Sequence, residues 1–98
     1  MFIRLVKMEF RTEAIPVFIE IFDQSSPLIR AFPGCEFLEL WQDQHHQAIF
    51  FTHSHWTGPE ALEAYRHSDL FQQTWAQTKP LFARPAQAWS VDRRMIFY

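Results

Sequence analysis

The sequence predicts an α+β fold in which helices cover one face of a four-stranded antiparallel sheet, and three observations carry that reading. Element signals follow one another as strand, helix, strand, strand, helix, strand. The polar run DQHHQ, residues 43–47, separates two strand-like segments as a hairpin turn does. Bulk is plentiful: of 98 residues, 48% are apolar and 17% aromatic, with eleven Phe and four Trp. Such a length predicts one domain, residues 1–98, whose folding hides roughly 60–65% of the surface of the unfolded chain. A core that small does not use all of these rings, so the surplus points to a ligand pocket, a subunit interface, or both.

Each element has its own justification. Phe2 to Phe10 (FIRLVKMEF) is rich in strand formers with apolar residues at both parities, the mark of a central strand with both faces partly covered. Thr12 is placed to cap a helix in which Ile15, Phe18, Ile19 and Phe22, and later Ile29 and Phe32, keep a helical period. Pro16 falls in its first turn, where a missing N–H costs least. Ser26-Pro27 reads as a fresh N-cap and N1 pair, predicting a kink or break, and FPG at 32–34 ends the element. Cys35–Gln42 and Ala48–Trp56 are the strands of the hairpin. Thr57-Gly-Pro-Glu60 has the form of a capping box, opening a helix to about Tyr65; Ser68 caps another to about Lys79, before Pro80. A loop, LFARP, leads to a last strand, Ala86–Asp92. This βαββαβ order is the ferredoxin-like, split βαβ arrangement. Phe37 and Trp41 share one parity of their strand while Leu38 and Leu40 share the other, so the face without helices is also apolar. A second copy of the chain is the economical cover, and a homodimer is expected.

Charge and spacing remove several function classes. Net charge is −2 without a basic run, which argues against nucleic acid. Arg4, Lys7 and Glu9 interrupt the N-terminus too early for a signal or membrane segment, and the single cysteine, Cys35, suits a reducing, cytoplasmic setting as a small strand residue. Two glycines, Gly34 and Gly58, cannot build a phosphate-cradling loop. His53 and His55, two apart on a strand, point to one face, where a distant acid such as Glu39 could join them; two imidazoles alone do not complete a metal site. His45 and His46 belong to the exposed turn.

A strand ending in Trp56, the helix PEALEAYRHSDLF, then TWAQTKPLF and AWSVD resemble the antibiotic biosynthesis monooxygenase-like domains of the dimeric α+β barrel superfamily, over nearly the whole chain. That group includes cofactor-independent oxygenases of polycyclic phenols, quinol oxidases, haem-degrading enzymes and many members without a known reaction, and a fold does not choose among them. For the haem branch the resemblance puts Trp75 where the iron-ligating histidine would stand, and the branch's first-strand asparagine falls near Val6. Indole does not ligate iron there, so no haem and no other cofactor is expected.

The resemblance also implies a ligand cavity between sheet and helices, with Trp56, Phe71, Trp75 and Trp89 as substrate-binding candidates beside Tyr65. Rings at helical spacing equally suit a plain core. The implied partner is a small aromatic molecule. Once deprotonated, such a substrate can reduce dioxygen itself, provided the protein holds it, manages its proton and excludes water. On that chemistry His53 is the candidate base, Tyr65 the hydrogen-bond partner of a phenol oxygen, and His67 the reserve base, with a competing role at the helix junction. The other function class that fits is a non-catalytic dimeric domain binding an apolar ligand.

Overall fold

The computed structural model describes residues 1–98 and has the predicted element order. Strands β1 (Phe2–Phe10), β2 (Cys35–Gln42), β3 (Ile49–Trp56) and β4 (Phe82–Val91) form one antiparallel sheet in the spatial order β2-β3-β1-β4. Helices α1 (Ile15–Arg30), α2 (Pro59–Arg66) and α3 (Asp69–Thr78) complete the ferredoxin-like fold, with 3-10 turns at Thr12–Ala14 and Lys79–Leu81.

Strand pairing sorts side chains by parity. Leu5 faces His53 and Trp89 across its two neighbours, and Val6 faces Thr52 and Ala88. Even positions of β1 turn to the helices: Met8 and Phe10 pack with Phe18 of α1 and Phe50 of β3 in the main core, with Leu40, Phe82 and Ala86 at its margin. Phe10 stacks on Phe18 at 4.1 Å between ring centroids. Truncating one of these buried rings to alanine costs about 3–5 kcal/mol. A second cluster joins Cys35, Trp56 and Leu62 to Phe32 and Tyr65 where α2 meets the sheet.

Four boundary expectations are corrected. Helix α1 runs unbroken through Pro27. Pro27 and Asp23, whose carbonyl loses its partner, are both exposed, so that oxygen is open to solvent while Ser25 and Ile29 are buried on the docked side of the helix. Thr12 makes no side-chain cap, because the chain first forms a 3-10 turn and α1 starts beyond it. Thr57 is not the cap of α2 either. Its N–H donates to the Gly34 carbonyl at 2.9 Å, and the helix starts from Gly58 with Pro59 at its first position. Strand β4 begins at Phe82, four residues early, and carries Pro85; as an edge strand with a register shift opposite Lys7–Glu9 it tolerates the missing donor.

Three other local signals perform as read. The Ser68 hydroxyl accepts from the Phe71 N–H at 3.1 Å and donates to the Tyr65 carbonyl at 2.6 Å, pinning the α2–α3 joint. Asp43 Oδ1 accepts from the backbone N–H groups of His45 and His46, closing the hairpin turn, and these bonds hold its carboxyl below the usual range. Gly34, at φ 91°, lies in the left-handed region, and a Cβ there would run into Ala61 while standing 3.1 Å from Thr57 Oγ1.

Candidate functional site

Between the sheet and the helices lies a cavity of about 340 Å³. Its floor is the even parity of β1 and β3, from Val6 and Met8 to Thr52, Ser54 and Trp56; its roof is Phe18, Phe22 and Ile29 of α1 with Phe71, Thr74 and Trp75 of α3. Leu62, Tyr65 and Arg66 of α2 close one end, and Ala86 and Ala88 of β4 line the edge toward solvent. The volume is at the small end of the usual range for ligand pockets, about 300–1,000 Å³.

The crowded aromatic joint after β3 is therefore core and pocket together. Trp56 is buried to 1% exposure, and its indole N–H is satisfied by Ser54 Oγ at 3.0 Å. The Tyr65 ring stacks on Trp56 at 5.1 Å and meets Phe32 and Phe71 edge-on at 5.4 and 5.3 Å. Phe71 and Trp75 stack in turn, 5.9 Å apart and nearly parallel. Whereas Trp56 is consumed by packing, Tyr65, Phe71 and Trp75 are half-buried and line the cavity. The Tyr65 hydroxyl makes no hydrogen bond within the protein, and burial, aided slightly by Cys35, pushes its pKa up to about 12. It is a hydrogen-bond donor at every ordinary pH. Cys35 is buried, its thiol pushed up by desolvation and donating weakly to the Phe37 carbonyl.

Three candidates lie elsewhere. His53 has the odd parity of β3, opposite Leu5 and Glu39, and points to the face without helices; the strand alternation that puts Thr52 and Ser54 in the cavity excludes it. Trp89, opposite Leu5 on β4, is on the same open face. His67 is the C-cap of α2 and exposed, with Nε2 2.8 Å from Glu63 Oε1, so it serves the helix junction. Of the seven predicted site residues, Trp56, Tyr65, Phe71 and Trp75 line the cavity while His53, His67 and Trp89 do not.

On the open face the two strand histidines do meet: His53 Nε2 and His55 Nε2 are 3.1 Å apart. Phe37 stacks on His55 at 4.6 Å, Trp41 packs on His53 at 4.7 Å, and Glu39 accepts from the Trp41 indole at 2.9 Å while lying 3.8 Å from His53 Nδ1. Burial, then the neighbouring His53, depresses the His55 pKa and favours its neutral form. No group of three or more His, Cys, Asp or Glu side chains is gathered with the geometry to hold a metal ion.

Cavity residues beyond the predicted set include Leu38, Thr52, Thr74 and two arginines, Arg4 and Arg66. Arg4 carried a legible signal, because it shares parity with Val6, Met8 and Phe10, the helix-facing side of β1. Thr52 and Thr74 had none, since a polar residue facing a cavity and one facing water look alike in a sequence.

Fold and site together define an α+β sheet protein with a ring-lined cavity between its layers. The family model for antibiotic biosynthesis monooxygenases matches residues 1–77, and the chain belongs to that family. No protein of curated function matches it. Among solved structures, an antibiotic biosynthesis monooxygenase superposes with a TM-score of 0.89 at 17% identity, covering 94% of this chain and 97% of the other. A conserved protein from Methanosarcina mazei Go1 gives 0.89 at 16% identity over 96% and 94%, and Rv0793 from Mycobacterium tuberculosis 0.88 at 18% over 97% and 96%. At these identities the likeness is one of fold. No helix is long and apolar enough to cross a membrane.

Proposed function

We propose that the protein is a cofactor-independent oxygenase or quinol oxidase that takes a small phenolic aromatic molecule into the cavity between sheet and helices. The observation that carries this reading is the lining: Phe71 and Trp75 supply aromatic surface for a flat ligand, and beside them stands the one phenolic hydroxyl of the cavity, Tyr65, held neutral by burial and free of any protein partner. Bound phenolate would accept a hydrogen bond from Tyr65, which favours the electron-rich anion that reacts with dioxygen. With an anthrone-type substrate, a methylene becomes a carbonyl, one oxygen atom enters the product and the other leaves as water, all electrons coming from the substrate. A quinol instead passes two electrons and two protons to dioxygen, giving quinone and hydrogen peroxide.

No imidazole or carboxylate lines the cavity. The reading therefore relies on a substrate acidic enough to lose its proton to water, and the same observation favours the second reading, a non-catalytic domain holding an apolar ligand. Dissolved-oxygen uptake with a panel of hydroquinones and anthrones separates the two. Uptake that matches product formation and saturates with substrate supports an enzyme, whereas saturable binding without uptake supports the binding domain.

The working unit in this proposal is a homodimer of one-domain chains in a reducing compartment. Trp41, Trp89 and Val91 of the open sheet face are each about two-fifths exposed. The accessible surface, 6657 Å², exceeds the ~5,900 Å² of a compact monomer of this mass. A second copy laid on that face would cover the histidine pair and both tryptophans.

A further inference from the structure

We infer that the ligand of this cavity carries a carboxylate, bound by Arg4 and Arg66 at the end that α2 closes, with its rings lying inward against Phe71 and Trp75. This deepens the proposed function and rests on its placing of the ligand. The cavity is apolar along most of its lining, yet two arginines line it and no acidic residue does. Arg4 comes from the helix-facing parity of an interior strand and is only partly exposed, a position more often apolar than charged. Its one hydrogen bond is a neutral one, NH1 to Ser90 Oγ at 3.1 Å.

The nearest acid, Glu63, does not neutralise the pair. It faces outward from α2, is 3.5 Å from Arg66 NH1, and also receives His67 at 2.8 Å. Burial, then the neighbouring Arg66, disfavours the charge on Arg4, and Glu63 offsets this only in part. Two half-compensated cations at one end of an apolar slot are relieved by an anion arriving on the ligand, and guanidinium groups match a carboxylate's two oxygens in geometry. A neutral ligand of the same shape would fill the ring-lined part and leave that relief unused.

Isothermal titration calorimetry with 2-naphthoate and its uncharged isostere 2-naphthamide tests this on the wild-type protein and on Arg4→Gln, Arg66→Gln, Arg4→Lys and Arg66→Lys. A charge-assisted hydrogen bond predicts that wild type binds 2-naphthoate at least ~10-fold more tightly than the amide. Either glutamine variant should lose most of that preference while binding the amide as wild type does, and the lysine variants should keep part of it. Arg66 is exposed on a helix end, so its variants report even if substitution of Arg4 disturbs the strand. Equal affinity for acid and amide, or a preference that survives in both glutamine variants, overturns the carboxylate but leaves the cavity as a ligand site. Failure of both molecules to bind overturns the inference and the proposed function together.

Discussion

Replacing Tyr65 by phenylalanine removes one oxygen and keeps a ring that contacts Phe32, Trp56 and Phe71, so its consequences can be worked from the structure. Near neutral pH the hydroxyl holds no protein partner, and the variant should match wild-type stability to within about 0.5 kcal/mol. Alkali should separate them. In the unfolded chain the phenol ionises near 10.0, and in the folded protein burial delays this to about 12. Below pH 10 both states are neutral and the tyrosine adds no pH dependence. As pH rises from 10 to 12, only the unfolded state loses its proton, so the wild type loses stability toward a limit of roughly 2–3 kcal/mol, from ~1.4 kcal/mol per pKa unit. Every other group is common to both proteins, so its contribution cancels in the difference. Urea denaturation followed by tryptophan fluorescence at intervals from pH 7 to 11.5 measures that difference. Curves that stay parallel through pH 11.5 would refute the buried, neutral phenol on which the donor role of Tyr65 depends.

Two further outcomes follow. Gly34→Ala forces a side chain into the left-handed region and against Ala61, and should cost about 2–4 kcal/mol, read as a lower urea midpoint with an unchanged slope; an unchanged midpoint would show that the β2 entry and the start of α2 are not in contact. His53→Ala should leave 2-naphthoate affinity and any oxygen uptake near wild-type values while weakening self-association measured by light scattering, because the imidazole lies on the open face. A ~10²-fold loss of uptake in the folded variant would instead restore His53 as the base.

Local chemistry explains which features were legible in the sequence. β1, β2 and the Ser68 cap follow from strand-forming runs and a short side chain reaching its own backbone, interactions complete within a few residues of chain. Ferredoxin-like order follows from the sequence of such signals, and the surplus of rings announced a cavity or an interface before either had a location. Signals of equal local strength failed where distant groups intervened: Thr57 is held by Gly34 instead of capping α2, and β4 extends through Pro85 because its place at the sheet edge spares the missing N–H.

The site divides in the same way. Tyr65, Phe71 and Trp75 lie on consecutive helices whose joint is set by Ser68, so their grouping was readable from spacing. Which face of the sheet receives a strand residue is a different kind of fact. His53 and Thr52 are neighbours in sequence and lie on opposite sides of the sheet. Only the placing of α1, α2 and α3 on the side of Phe10, Phe50 and Trp56 puts one in the cavity and leaves the other outside it. Strand alternation by itself decides that two residues part company; the packing of the helices on the side of the Phe10 and Trp56 clusters decides which of them meets the cavity.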